Sequence, residues 1–262
     1  MGKTRAGEPP PLDPKRSALF LDYDGTLVPI APTPDAAVAD EPLRRLLADL
    51  DAVLDGALAL VSGRPVGDID GFLAPLRLTV AGLHGLDLRL RDGSRRTPTG
   101  FEDALRPARA ALAELHARAP GTLLEDKRLT VAFHYRGAPA VEAEARDLAQ
   151  RLVEASGGAL QLLPGKMVVE LLPAGRDKGS AIGQLLELPE FAGRLPVFVG
   201  DDVTDEAGFR AVNARGGISI RVGTAERDTE ALYQLAHVQA LRAWLAAAIE
   251  RARGQEGQAR PG

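Results

Sequence analysis

Two aspartates stand two residues apart directly behind a short apolar segment, in LFLDYDGTLVP at residues 19–29. Asp22 and Asp24 can point into the same small volume, because side chains two apart in an extended segment share a face. An ionised aspartate can attack phosphorus and form an aspartyl-phosphate. A second carboxyl can protonate the leaving oxygen and later take a proton from water, and repulsion between neighbouring carboxylates separates their pKa values enough for two roles. The pair therefore predicts phosphoryl transfer, with Asp22 as nucleophile and Asp24 as acid and base.

Further reactive side chains follow other apolar segments. Ser62 ends GALALVS, Asp201 and Asp202 follow LPVFVG, and Lys178 begins a segment with helical periodicity. In open parallel α/β sheets, ligands bind beyond the carboxyl ends of the strands. We therefore expect one site at that edge, where Lys178 offers a positive charge to a phosphoryl oxygen and Ser62 and Thr26 donate hydrogen bonds to the same group.

Several carboxylates that converge at one edge need a cation to compensate their charge. Oxygen-rich, incompletely filled coordination suits Mg²⁺, which keeps waters and shares a phosphate with its substrate. Mg²⁺ is therefore the predicted cofactor. Gly25 and Gly200 are expected to let backbone and ligand approach each other closely.

The elements that position these residues alternate between strands and helices. Buried-strand patterns occupy 17–22, 56–62, 78–82 and 195–202, and helical periodicity occupies 40–54 and 177–188. Asp177 is a candidate N-cap of the second helix. A strand–helix–strand order implies a parallel sheet with right-handed crossovers.

A different pattern, a helix followed by two strands, occurs twice in the middle of the chain. The helices are predicted at 101–119 and 139–155, and the strands at 122–126, 129–136, 159–163 and 166–173. We therefore predict an α/β protein whose parallel-sheet core, residues 17–89 and 173–250, is interrupted by an αββαββ domain at 90–172. Residues 1–16 and 251–262 are predicted to be disordered ends.

Composition excludes several classes of protein. The net charge of −4 argues against nucleic-acid or anionic-membrane binding, and the absence of cysteine excludes disulfides and thiolate chemistry. No apolar stretch is long enough to cross a bilayer, and the first residues lack the apolar segment of a signal peptide. We expect a monomer in the cytoplasm that acts on a small-molecule substrate.

The reactive segments resemble the signatures of the haloacid-dehalogenase superfamily of phosphatases. They are DYDGT (22–26), SGR (62–64), Lys178 and GDDVTDE (200–206). The resemblance implies a Rossmann-like core, Mg²⁺ and an aspartyl-phosphate intermediate. It also implies that Asp22, the backbone carbonyl of Asp24, and Asp201 hold the metal, with Asp202 and Asp205 among its ligands or just behind them.

A narrower resemblance, to trehalose-6-phosphate phosphatases, extends over about residues 17–250. It rests on GDDVTDE together with GLHG (82–85), EDKRLTVAFHYR (125–136) and GKMVVELLP (165–173). In that family the insertion is a cap that closes over the disaccharide. The resemblance implies hydrolysis of trehalose 6-phosphate in trehalose biosynthesis. It also implies a set of substrate-binding residues, namely Arg64, His84, Glu125, Lys127, Arg136, Lys166 and Glu170.

Other functions remain open. They are a phosphatase for sucrose 6-phosphate or mannosyl-3-phosphoglycerate, a sugar-phosphate mutase on the same core, and a non-catalytic receiver or sugar-phosphate sensor. A glycerate carboxylate should attract more cationic residues than the three in the insertion. A receiver domain is shorter and has no cap, and a degenerate sensor would have lost Asp24 or Lys178. The residues therefore favour the hydrolase.

Overall fold

The computed structural model describes residues 7–30, 37–165, 167–224 and 228–258. The chain forms two compact units, a core unit (Met1–Arg96 and Asp177–Gly262) and an inserted unit (Thr97–Arg176). The inserted unit begins later than the predicted 90–172 segment, because residues 87–96 form two strands of the core sheet.

The strands and helices predicted from the sequence are present, together with others that were not predicted. In chain order they are β1 (Ser17–Leu21), α1 (Glu41–Val53), β2 (Leu58–Val61), α2 (Val66–Leu73), β3 (Thr79–Gly82), β4 (Asp87–Arg89), β5 (Arg95–Arg96), α3 (Glu102–Arg118), β6 (Leu123–Asp126), β7 (Val131–His134), α4 (Glu142–Ala155), β8 (Leu160–Gly165), β9 (Val168–Pro173), α5 (Lys178–Leu185), β10 (Leu195–Gly200), α6 (Glu206–Asn213), β11 (Ile218–Val222), β12 (Tyr233–Leu235) and α7 (Val238–Gln258).

The core unit is built on an eight-stranded sheet in the order β12-β11-β10-β1-β2-β3-β4-β5. The first six strands in this order are parallel, and β4 and β5 are antiparallel at one edge. Every residue of β1 and β2 is buried, as expected for parallel strands that are covered on both faces. The predicted α/β class and parallel-sheet core are confirmed.

The direction in which strands are added reverses between β1 and β10. From β1 the chain adds β2 and β3 on one side, and from β10 it adds β11 and β12 on the other. Leu21 pairs with Val199 in this register, so the two strands end side by side. A reversal of this kind leaves a crevice at the carboxyl ends of the strands, which is where open α/β sheets bind ligands.

The start of α5 is fixed by its N-cap. The Asp177 carboxylate accepts a hydrogen bond from the Ser180 amide at 2.7 Å, and the Ser180 hydroxyl is 3.0 Å from the Asp177 amide, which donates to it. This reciprocal capping satisfies backbone donors that the first turn leaves unpaired. It confirms the predicted N-cap and makes Lys178 the first residue of the helix.

The inserted unit repeats a helix and two strands, as predicted. Its antiparallel sheet has the order β6-β7-β9-β8. One sheet face packs on α3 and α4 through an apolar core that includes Leu105, Leu112, Val131, Phe133, Ala145, Val169 and Leu171. Because strand side chains alternate between faces, the other face can carry polar residues.

The prediction of disordered ends was wrong for most of the residues that the structure describes there. Leu12 is buried, and the Trp244 Nε1–H donates to the Pro10 carbonyl at 3.1 Å, so residues before β1 pack on the core unit. Helix α7 continues to Gln258, because its last residues are mostly good helix formers and Ala252 is buried. Residues 1–6 and 259–262 lie outside the described residues. Among the helices described, none is long and apolar enough to span a bilayer.

Candidate active site

Three carboxylates meet where β1 and β10 end. Asp22 follows β1, Asp201 follows β10, and Asp205 closes the short 3₁₀ turn Val203–Asp205. One carboxylate oxygen from each lies within 4.8 Å of the others. The Asp22 amide donates to the Val199 carbonyl at 2.9 Å, which extends the pairing of the two strands by one bond. The reversal of strand order therefore places residues from distant parts of the sequence at one point.

Lys178 is the cation of this cluster. Its Nζ donates to Asp22 Oδ1 at 2.7 Å and to Asp205 Oδ1 at 2.6 Å, and all three side chains are buried. Burial alone would lower the pKa of Lys178, but Asp205 and Asp22 outweigh it and hold the pKa above its usual value. The ammonium that was predicted to contact a phosphoryl oxygen is thus held beside the predicted nucleophile.

Asp205 fixes the loop that carries Asp201. Its Oδ2 accepts hydrogen bonds from the amides of Asp201 and Asp202, both at 2.8 Å, and its Oδ1 accepts from Lys178. Both oxygens of this buried carboxylate are therefore engaged. The exposed Asp202 shares the same turn, in which its side chain accepts from the backbone in a capping box.

The two predicted glycines make room for carboxylates rather than for a ligand. A Cβ on Gly25, whose φ is +76°, would lie 2.1 Å from Asp201 Oδ2, and one on Gly200 would lie 2.3 Å from Asp205 Cγ. Thr26 is buried beside them, and its hydroxyl is 3.3 Å from Asp22 Oδ2 and 3.1 Å from Asp201 Oδ1. Since it has one proton, it can donate to only one of the two carboxylates at a time.

The cluster carries more negative charge than Lys178 compensates. Burial is the largest cause that raises the pKa of Asp22 well above its usual value; Asp205 and Asp201 raise it further, and Lys178 opposes them. Burial likewise raises the pKa of Asp201 to about 7. Three oxygen-donor carboxylates with an excess of negative charge fit a hard divalent cation such as Mg²⁺.

Asp24 lies apart from this cluster, which corrects the expectation that it shares one volume with Asp22. The Arg64 guanidinium binds it with two hydrogen bonds, Nε to Oδ2 at 2.5 Å and Nη2 to Oδ1 at 2.7 Å. The two-residue alternation fails here because β1 ends at Leu21 and the chain turns from Gly25. The like charges that affect Asp22 therefore come from Asp201 and Asp205.

Ser62 and His84 form a second side of the site. Ser62 is buried behind β2, and its Oγ accepts from the Arg64 amide at 3.2 Å. Within the described residues the hydroxyl proton of Ser62 has no acceptor, so it can donate to a ligand. The His84 amide donates to the Ser62 carbonyl at 3.0 Å, which places the buried His84 beside the SGR segment. Arg64, predicted to bind substrate, also lies over the Phe72 ring at 5.0 Å.

Three of the predicted sugar-binding residues lie together on the inserted sheet. Lys127 Nζ is 3.6 Å from Glu125 Oε2 and 3.4 Å from Glu170 Oε1. Arg136 is exposed in the turn after β7, and among the described residues no ion pair or hydrogen bond joins it to the other three. Lys166 lies outside the described residues.

Two neighbours of this group were not predicted. The Thr130 hydroxyl donates to Glu170 Oε1 at 2.6 Å, and His134 Nε2 is 3.1 Å from Glu125 Oε2. The only signal in the sequence is that Glu125 and His134 both lie in strand-like segments. Their contact depends on the register in which the two strands pair, and this register cannot be predicted from the sequence pattern alone.

Over most of its length, the chain is similar to known trehalose-phosphate phosphatases. The model of the trehalose-phosphatase family matches residues 20–239. A probable trehalose-phosphate phosphatase of Sinorhizobium fredii NGR234 is 43% identical over 88% of this chain and 86% of its own length. The trehalose-6-phosphate phosphatase of Escherichia coli K12 is 41% identical over 87% and 85%. A solved structure of a trehalose-6-phosphate phosphatase related protein is 29% identical, with a TM-score of 0.76, over 90% of this chain and 99% of that one.

Proposed function

The chain belongs to the trehalose-phosphatase family, and we propose from this that it hydrolyses trehalose 6-phosphate to trehalose and phosphate through an aspartyl-phosphate on Asp22. The observation that carries the proposal is the cluster at the ends of β1 and β10. There a buried carboxylate lies 2.7 Å from a lysine ammonium and within 4.8 Å of two further carboxylates. The reaction would be the dephosphorylating step of trehalose biosynthesis.

In the first half of the reaction, a carboxylate oxygen of Asp22 attacks phosphorus. A bond from Asp22 to phosphorus forms, and the bond from phosphorus to the sugar oxygen breaks. We assign Asp24 as the acid that gives this leaving oxygen its proton. In the structure Asp24 is bound by Arg64, so this role requires the carboxyl to exchange the guanidinium for the sugar oxygen.

In the second half, water cleaves the aspartyl-phosphate. Asp24, now ionised, takes a proton from the water while the water oxygen bonds to phosphorus. The bond between phosphorus and the Asp22 oxygen breaks, which restores the free Asp22 carboxylate. Lys178 and the hydroxyls of Ser62 and Thr26 would stabilise the charge on the phosphoryl oxygens. The free hydroxyl proton of Ser62 supports its part in this.

Mg²⁺ is the cofactor that we infer for the site. Asp22, the carbonyl of Asp24, and Asp201 would hold it, with Asp205 positioning the Asp201 loop. When bound, Mg²⁺ would neutralise charge on the phosphoryl oxygens and hold them in line with the nucleophile. Burial is the largest cause of the raised pKa values of Asp22 and Asp201, and the neighbouring carboxylates, which Lys178 compensates only in part, raise them further. A bound cation would relieve both effects, which supports the inference.

We further propose that the inserted unit recognises the sugar. A sugar is a neutral molecule rich in hydroxyl groups, and charged side chains in fixed orientations can donate hydrogen bonds to these groups or accept hydrogen bonds from them. Glu125, Lys127 and Glu170 provide acceptors and a donor within one group, and Arg136 and Lys166 are assigned to the same task. The protein would act on this small molecule as a monomer in the cytoplasm.

Release of free phosphate from a panel of esters tests the proposal. The panel contains trehalose 6-phosphate, glucose 6-phosphate, sucrose 6-phosphate and p-nitrophenyl phosphate, with Mg²⁺, and Asp22→Asn is the control. We expect a strong preference for trehalose 6-phosphate that is lost in the variant. Turnover of only the other esters would reject the substrate, and full activity of Asp22→Asn would reject the nucleophile. Retention of the phosphoryl group on the sugar would indicate a mutase instead.

A further inference from the structure

Two glutamates flank one small residue on the polar face of the inserted sheet. Ala132 of β7 pairs with Glu125 of β6 on one side and with Glu170 of β9 on the other. Residues directly opposite each other in neighbouring strands share a face. Phe133 and Val169 lie on the opposite face, in the apolar core with α3 and α4. The strand register thus presents two carboxylates side by side.

His134 stands two residues beyond Ala132 on the same face of β7, diagonal to Glu125. Its Nε2 is 3.1 Å from Glu125 Oε2. Because an ionised carboxylate has no proton to donate, the imidazole nitrogen must carry the hydrogen of this bond. The hydrogen bond from His134 is the largest cause that holds the pKa of Glu125 below its usual value, while burial opposes it.

Among the described residues, the hydrogen bond and the closest ion-pair contact of Glu125 both fall on the same oxygen. Oε2 accepts the hydrogen bond from His134 and is the atom that Lys127 Nζ approaches at 3.6 Å. Within the part of the chain that the structure describes, Oε1 accepts no hydrogen bond. One oxygen therefore anchors the carboxylate, and the other is available to a donor that the described residues do not supply.

Glu170 is anchored in a different way. Its Oε1 accepts a 2.6 Å hydrogen bond from Thr130, whose side chain is fully buried, and a longer one from Lys127 at 3.4 Å. The partner of Glu125, by contrast, is an imidazole that keeps about a third of its surface exposed. A buried hydroxyl supports the sheet as well as the glutamate, whereas a partly exposed imidazole can be replaced with less effect on the fold.

We propose that His134 is a positioning residue that fixes the Glu125 carboxylate with Oε1 directed at a sugar hydroxyl of the substrate. This inference rests on the proposed function, since it takes the sugar to be the ligand of Glu125. His134 itself touches neither the phosphoryl group nor the reacting atoms. A carboxylate fixed in advance loses less side-chain entropy when it accepts the hydroxyl, so the effect belongs to substrate binding rather than to the chemical step.

Two variants of His134 distinguish the effect of its hydrogen-bond donor from the effect of its side-chain shape. His134→Met removes the donor at similar volume, and His134→Gln keeps an N–H donor. We expect His134→Met to raise KM for trehalose 6-phosphate about 10-fold, as for loss of a hydrogen bond to a charged group, with kcat nearly unchanged. His134→Gln should stay within about 3-fold of the wild type. Turnover of p-nitrophenyl phosphate, which has no sugar, should not change in either variant.

A double-mutant cycle with Glu125→Ala, which removes the acceptor of the His134 hydrogen bond, tests whether His134 acts through the glutamate. If it does, adding His134→Met to Glu125→Ala should raise KM no further. The inference is overturned if the effects of the two substitutions on KM add, or if His134→Met lowers turnover of every ester equally. It is also overturned if the wild type, His134→Met and His134→Gln have the same KM. Wild-type protein that does not hydrolyse trehalose 6-phosphate would overturn the proposed function and this inference with it. Active wild type with an unaffected His134→Met would overturn the inference alone.

Discussion

Asparagine in place of Asp201 should stabilise the metal-free core unit at alkaline pH, although it removes a proposed metal ligand. Burial is the largest cause that raises the pKa of Asp201 to about 7; Asp205 adds to it, and Lys178 opposes it. A carboxyl with a higher pKa in the folded protein than in the unfolded chain binds more protons when folded. The free energy of unfolding therefore falls as pH rises, here from about pH 4 to about pH 7. An amide does not ionise, and its oxygen can still accept the hydrogen bond that Thr26 donates at 3.1 Å.

The size of the effect follows from the same pKa. It rises from a usual value of 3.8 to about 7. A pKa that is higher by one corresponds to about 1.36 kcal/mol, so an isolated group with this pKa would destabilise the protein by about 4 kcal/mol above pH 7. Asp22, whose pKa is also raised, interacts with Asp201, and solvent reaches the partly exposed Asp201 carboxyl, so we expect about 2–3 kcal/mol. The variant should therefore differ little from the wild type at pH 4 and exceed its free energy of unfolding by that amount at pH 8.

Unfolding in urea with EDTA present measures the difference. Fluorescence of Trp244, the only tryptophan in the sequence, reports on the core unit because the residue lies in α7 and its indole binds the Pro10 carbonyl. The control is Asp228→Asn, which changes an exposed aspartate of the same unit. The reasoning would be refuted if the Asp201→Asn protein were less stable than the wild type at pH 8. It would also be refuted if the free energies of unfolding of the two proteins differed by the same amount at pH 4 and pH 8. Added Mg²⁺ should stabilise the wild type and not the variant.

Other changes to the cluster have equally definite outcomes. Lys178→Met should lower the free energy of unfolding by about 3–5 kcal/mol at pH 7, because two buried carboxylates lose their counter-charge; a loss below about 1 kcal/mol in urea would contradict this. Gly25→Ala should lower kcat at least about 10-fold in steady-state assays, because the new methyl group would displace the Asp201 carboxylate. Its control is Gly67→Ala, because a methyl group added there would meet no described atom within 4 Å outside its own turn of helix. Equal kcat values for the two variants would contradict the expectation. Removal of metal with EDTA should abolish phosphate release, and Mg²⁺ should restore it better than Ca²⁺, which tolerates less regular coordination; a chelated protein of undiminished activity would exclude the metal.

The sequence predicted β1, β2, β3 and β10 because buried parallel strands are continuous apolar runs. It did not predict β5, since this strand consists of two exposed arginines and joins the sheet through its backbone alone. The convergence of Asp22 and Asp201 followed from the rule for parallel strand ends. The pairing of Asp24 with Arg64 did not, because it depends on the residue at which β1 stops.

The inserted unit shows the same division. Repeated periodicity predicted its helices and strands. The resemblance implied that Glu125, Lys127 and Glu170 bind substrate, and this role stays a prediction. Thr130 and His134 could not be found in this way, because their contacts cross from one strand to another. Such contacts are fixed by register, and register is set by packing of the whole sheet.

The reversal of strand order also has a consequence for synthesis of the chain. Strand β1 can pair with β2 soon after both have been synthesised, but its other neighbour, β10, comes only after the whole inserted unit has been translated. Until then the apolar β1 is an edge strand whose free N–H and C=O groups can pair with another polypeptide. The inserted unit is continuous in sequence and can fold during this interval. The topology that brings Asp22 beside Asp201 thus leaves the nascent protein open to misassembly until the chain has passed residue 200.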